Sequence, residues 1–146
     1  MKNIVSSLLL LASFSLLAEN SIVSKGYEVH YNALSSNFLD AKVAKSYQIP
    51  RSKTKGFINI AVRKLSNDKS QLSTAVEADI KISAKNFYGQ DKDISLKKIA
   101  ENDGAIYYVG TLSVTNREVI KFKAQVNPRG SNAHIDVNFE HEFYTD

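Results

Sequence analysis

Apolar and polar residues alternate over much of this chain, and Ala105 to Val126 carries the pattern through two successive arms. In its first half Ile106, Tyr108, Leu112 and Val114 alternate with Tyr107, Val109, Thr111 and Ser113. In its second half Ile120, Phe122, Ala124 and Val126 alternate with Lys121, Lys123 and Gln125. A period of two marks extended strand, because successive side chains point to opposite faces. The first half is apolar on one face and mixed on the other, which predicts a central strand. The second has one clean apolar face and predicts a strand with water on one side. Thr115, Asn116 and Arg117 form a polar connection. The stretch reads as a long hairpin around which the rest is organised, without the Asn-Gly or Asp-Gly pair of a strong turn.

The same period predicts further strands. Tyr27, Val29, Tyr31 and Ala33 share one face of a first strand that follows a short tail, and Leu34 to Asn37 turns the chain. Asp40 is placed to cap a helix from Ala41 to about Tyr47, in which Val43 and Tyr47 fall on one side. Pro50 disfavours helix at Ile49 and begins an extended link. Strands are predicted over Gly56 to Leu65 and, after a turn at Asn67 and Asp68, over Gln71 to Ile82, with Phe87, Tyr88 and Gly89 closing or bulging the latter. Ile94 and Leu96 begin a fifth strand, with Ser95 to Ala100 open between strand and helical turn before Asn102, Asp103 and Gly104. After Pro128, Arg129 and Gly130, a last strand runs from Ala133 to Phe143. Seven strands with polar turns imply an all-β antiparallel sandwich or small barrel, with one short helix after the first strand.

Two features set where this domain works. Lys2, the apolar run Leu8 to Leu17 and Ala18 before Glu19 have the layout of a secretory signal peptide, residues 1–18, followed by a single domain, 19–146. The run is shorter than the roughly 20 residues of a spanning helix. There is no cysteine, hence no disulfide, no thiol chemistry and no lipid attachment at cysteine. The expected location is the periplasm, with secretion as the alternative. The formal charge is +4, too small to name a partner. Its distribution says more: from Ala41 to Lys64 the charged residues are Lys42, Lys45, Arg51, Lys53, Lys55, Arg63 and Lys64, with no acid. Such a run suits an anionic partner, and export disfavours nucleic acid.

Residues that carry chemistry are sparse. His134, Asp136 and Glu140 share one strand face, but alternate residues stand about 7 Å apart along a strand, so a metal would need a ligand from elsewhere. His30 supplies it only if the first and last strands pair. His141 falls in phase with apolar neighbours and reads as a structural histidine packed beside Phe139 or Phe143. Ser35 and Ser36 near His30 lack a nucleophile-elbow spacing. The aromatic residues mostly fill a core, but Tyr47 and Tyr88 lie beside connections and could border a groove. The predicted partner-binding residues are Arg51, Lys53 and Lys55, with Tyr47 and Tyr88 giving adjacent apolar contact; Arg51 leads because its planar fork holds a carboxylate or phosphate at two points. No cofactor is expected.

The stretches YEVHYNALSS at Tyr27 to Ser36, VAKSYQIPRSKTKGFINIAV at Val43 to Val62, NFYGQ at Asn86 to Gln90, IAENDGAIYYVG at Ile99 to Gly110 and the closing EFYTD resemble an uncharacterised family of small exported Gram-negative bacterial proteins, a single domain of unknown function. The resemblance covers essentially the whole chain after the leader and rests on Tyr27, His30, Tyr31, Asn32, Tyr47, Arg51, Ser52, Asn59, Asn86, Gln90, Glu101, Ala105, Tyr107, Tyr108, Phe143 and Tyr144. It implies a periplasmic all-β domain resembling an immunoglobulin sandwich, which together with the seven strands read above gives a seven-stranded antiparallel immunoglobulin-like sandwich, and it implies no established activity. It also implies glutamine at the position of His141 in many members, which argues against catalysis there.

These observations favour a non-enzymatic periplasmic binding or assembly domain. Its expected partner is an envelope protein or an anionic glycan or lipid headgroup, with a strand edge open to a partner strand or to a homodimer. The alternatives are a small hydrolase or metal-binding protein using His30 and the last strand, and a purely structural envelope protein.

Overall fold

In a computed structural model of the chain, described over residues 20–146, the alternating segments form ten strands. The expected signal peptide lies outside the described residues. The strands are β1 (Asn20–Ser24), β2 (Tyr27–Ser35), β3 (Lys55–Lys64), β4 (Thr74–Ala75), β5 (Ala78–Asn86), β6 (Asp91–Lys92), β7 (Lys97–Ala100), β8 (Ile106–Ser113), β9 (Glu118–Pro128) and β10 (Ile135–Phe143). A 3-10 turn, Ser36–Phe38, and one helix, α1 (Ala41–Tyr47), separate β2 from β3. The strands make two separate antiparallel sheets. One has six strands, in the order β1-β2-β3-β8-β7 with β4 also on β3; the other has four, in the order β10-β9-β5-β6.

This architecture corrects the expected fold. Ten strands in sheets of six and four replace seven, and neither sheet closes or curls into an immunoglobulin-like sandwich. The molecule is a mixed fold of two sheets and a short helix. That helix follows the second strand, not the first, because the segment read as a tail pairs along β2 from Asn20↔Tyr31 to Ser24↔Tyr27.

The hairpin expected over Ala105 to Val126 does not form. β8 pairs with β3 and β7 in the larger sheet, whereas β9 pairs with β10 and β5 in the smaller one. Alternation reports that a segment is extended and which face is apolar; it does not report its neighbours. The connection crosses between sheets because Leu112 and Val114 are both buried and Val114 N–H donates to Thr54 O at 3.0 Å, holding the chain to the larger sheet until Thr115. The Glu118 carboxylate then accepts from Thr115 N–H at 2.8 Å, and Arg117 takes a left-handed φ of 60°.

The stretch from Gln71 to Ile82 changes sheets as well. β4 ends on β3, Val76 N–H still donates to Val62 O, and Glu77 O already accepts from Arg129 N–H beside the smaller sheet. At the crossing the Tyr108 hydroxyl of β8 accepts from Ala78 N–H at 2.8 Å, a buried bond that ties the two sheets.

Both sheets contribute to the main core. Val29, Ile58, Ile60 and Val62 from the larger sheet pack with Ile120, Phe122, Val126, Val137 and Phe143 from the smaller. Gly56 admits the Phe143 ring: a Cβ there would lie 2.8 Å from two ring carbons. The larger sheet is apolar on its other face too, where Leu34, Phe57 and Val109 meet Leu39, Ala44 and Ile49. This second cluster seats α1 on the sheet, whereas Asp79, Lys81, Ser83, Lys85, Lys121, Lys123 and Gln125 on the smaller sheet face water.

Candidate binding surface

The helix is short, so its ends carry much of its definition. At the start the Asp40 carboxylate accepts from Lys42 N–H at 2.8 Å and Val43 N–H at 3.2 Å. The sequence reading placed this cap and both helix ends. At the other end Gln48 is left-handed, Ile49 N–H returns to Ala44 O at 2.8 Å, and the Lys97 ammonium donates to Tyr47 O, meeting the negative end of the helix dipole. The Pro50 to Ser52 link is stapled by the fully buried Ser36, whose hydroxyl donates to Pro50 O at 2.8 Å and accepts from Ser52 N–H at 2.9 Å. Ser35 holds the link as well, its hydroxyl donating to Lys53 O at 3.3 Å.

Between this helix end and the edge of the sheet lies a half-open cleft of about 210 Å³, lined by Gln48, Ile49, Pro50, Ser95, Leu96, Lys97, Val109, Gly110 and Thr111. β7 pairs with β8 only from Ile106 to Val109, so Gly110 to Ser113 have a strand partner on one side alone. Gly110 is required by close approach: a Cβ there would sit 2.5 Å from Ser95 O. Sequence reasoning marked the connection beside Tyr47, which supplies Gln48, Ile49 and Pro50, but missed the opposite wall at Ser95 to Lys97 and Gly110. The one available signal was a glycine at an inward-facing position of a strand, which marks a close backbone approach.

The basic run does not stay together. Lys55 and Lys64 stand at opposite ends of β3, nine steps and roughly 30 Å apart. At the far end Arg63 donates to the Ser73 hydroxyl at 2.7 Å. At the near end Arg51 donates to Asn37 O at 3.0 Å and Lys55 to the Ser113 hydroxyl at 2.8 Å, while Lys53 is exposed. Arg51 and Lys53 thus lie on the link that continues from the cleft wall at Pro50, and Lys55 begins β3 where that link ends.

The two tyrosines part company. Tyr47 packs against the second cluster and donates its hydroxyl to Glu101. Burial of the ring, then that bond and the charge of Glu101, push its pKa well above the usual tyrosine range. Tyr88 belongs to the turn between β5 and β6 on the other sheet, with 87% of its surface exposed. It does not adjoin Tyr47 on one element.

His30 and His134 also lie apart. His30, on β2, has Nε2 3.2 Å from Glu28, while His134 precedes β10 and its Nδ1 bonds the Asn127 side-chain oxygen. Asp136 is exposed on β10. Strands β2 and β10 are in different sheets, and among the described residues no three His, Asp or Glu side chains gather to hold a metal. His141 packs edge-on against Phe143 with ring centroids 4.6 Å apart; burial pulls its pKa below the ordinary histidine value, opposed in part by Glu142. Among the described residues no helix is long and apolar enough to cross a membrane.

No curated protein matches the chain. The chain is similar in structure to a DUF4426 family protein from Pseudomonas aeruginosa, with a TM-score of 0.71 and 28% identity over 88% of this chain and 96% of that one. The yeast GGA1 GAE domain aligns over 84% of this chain and 95% of its own at 12% identity, but a TM-score of 0.40 carries no argument. Residues 22–146 match the family described as Domain of unknown function (DUF4426). With nearly all of the described chain inside that match, the protein belongs to the DUF4426 family.

Proposed function

We propose that the chain is a single non-enzymatic binding or assembly domain of the periplasm, and that it takes an acidic, extended segment of an envelope protein at the end of α1. The cleft carries this reading. Its volume of about 210 Å³ suits one side chain of a partner better than a whole small molecule, for which pockets run from roughly 300 Å³ upward. The one-sided edge of β8 beside it offers main-chain bonds to an added strand, and Arg51 and Lys53 on the adjoining link, with Lys55 at the start of β3, offer charge. A purely structural protein would need neither a concavity nor an open edge beside it. A homodimer through β10 is disfavoured, because twofold pairing would bring Asp136, Glu140 and Glu142 of two copies together.

The test is capture from a periplasmic extract by the leaderless protein, beside a variant carrying Arg51→Ala, Lys53→Ala and Lys55→Ala. All three side chains lie outside both core clusters, so the variant is expected to fold. One defined protein retained by the parent and weakened about tenfold or more in the folded variant supports the reading. Equal retention by both contradicts it.

A further inference from the structure

The turn between β5 and β6 exposes two large aromatic side chains on a rigid base. Phe87 is 74% exposed and Tyr88 87%. Beneath them Asn86 is buried and uses its amide fully. Its oxygen accepts from Tyr88 N–H at 3.1 Å and Gln90 N–H at 2.9 Å, and its nitrogen donates to Gln90 Oε1 at 2.7 Å and Glu118 Oε1 at 3.3 Å. Glu118 is held in turn by Lys92 at 3.0 Å and by Thr115. Such a base fixes the turn, so the exposure of the rings is built in and does not come from a loose loop. Exposing two aromatic rings on a fixed turn is unfavourable in water and marks a contact surface.

The surroundings indicate the contact. Lys121 lies over the Phe87 ring, 6.0 Å from its centroid, which places that ring on the outer face of the smaller sheet. Lys81, Lys85, Lys121 and Lys123 project from adjacent β5 and β9 on this face, all exposed. Lys85 pairs with Asp91, whereas Lys81 and Lys123 meet no acidic partner among the described residues. The face also carries Asp79 on β5, paired with Arg129 at 3.1 Å, and Asp136 and Glu140 on β10, with Glu140 opposite Lys121, so Lys81 and Lys123 are the cations it leaves for a partner. The two rings stand at 85° to each other, which denies them a single flat platform for a sugar ring. A lipid interface makes no such demand: aromatic side chains settle at the headgroup level while lysines meet anionic phosphates.

We infer that the Phe87–Tyr88 turn and the lysines of β5 and β9 dock the protein on an anionic phospholipid surface. This surface is separate from the cleft at α1, so either can fail alone. The sequence contains no tryptophan, so Tyr88→Trp installs a single reporter. The leaderless protein is mixed with vesicles of phosphatidylethanolamine alone and of phosphatidylethanolamine with phosphatidylglycerol. The expected results are sedimentation with the anionic vesicles only, a blue shift of the Trp emission, and release by salt. Phe87→Ser with Tyr88→Ser, and separately Lys121→Gln with Lys123→Gln, should each weaken binding roughly tenfold or more while the thermal midpoint holds. The Arg51, Lys53 and Lys55 alanine variant should bind vesicles like the parent. No binding by the parent, equal binding to both vesicle types, or full binding by both double variants overturns the inference; retention of a soluble protein or glycan through Tyr88 in place of vesicles does so as well.

Discussion

Single side chains make sharp claims because each has a definite surrounding. Phe122 is 1% exposed at the centre of the core, so Phe122→Ala should cost about 3–5 kcal/mol in denaturant unfolding. Ile80 has the same phase but is only partly buried, and its truncation should cost less. Tyr108→Phe keeps the ring and removes the acceptor of the buried Ala78 N–H, for an expected loss of about 1–3 kcal/mol. Two groups give separate acid responses. Burial lowers the His141 pKa, so the unfolded chain takes that proton first and stability falls as pH drops below about 6.5; His141→Gln should abolish this phase. Burial alone would raise the Glu118 pKa, but bonds from Thr115, Lys92 and Asn86 and the charge of Lys92 hold it low. Its contribution is complete above about pH 4.3 and is lost as pH falls through the depressed value, a phase that Glu118→Gln should remove at a cost of about 1–3 kcal/mol at neutral pH. Unfolding curves from pH 3 to 8 on the parent and the two variants check both windows.

At the scale of elements, what the sequence revealed was local and what it hid was relational. Asp40 to Tyr47 reads correctly as a capped helix because cap and spacing act within one turn. The strands of Tyr27, Gly56 and Ala133 are likewise legible from their phase. Sheet membership is not, since Thr115 to Glu118 can close a hairpin or cross between sheets with the same residues, and the outcome depends on what Val114 and Glu118 bond far away in the chain. The candidate surface shows the same division. Arg51, Lys53 and Lys55 are visible as a charge run, but the cleft beside them needs β7 to leave β8 over Gly110, a meeting of segments fifteen residues apart. Gly110→Ala tests that crossing: the added methyl would displace the Ser95 backbone, so both thermal stability and partner retention should fall, whereas Gly104→Ala, with open space around its Cβ, carries only the strain of its left-handed φ.

For the whole molecule, the two sheets divide the surface into faces of different character. The larger sheet carries α1, the cleft and the link with Arg51 on its outer side, while the smaller presents lysines and an aromatic turn to solvent. A domain that held its partner at the first face and rested on an anionic surface with the second would join two components of the envelope. The most direct measurement is photo-crosslinking in the periplasm from two positions, Thr111 in the cleft and Lys123 on the lysine face, each replaced by a photoreactive amino acid. A partner held at the cleft requires one defined protein joined at position 111, absent at position 123, and lost when Arg51, Lys53 and Lys55 are alanine. A protein joined only at position 123, or none at position 111, would contradict it.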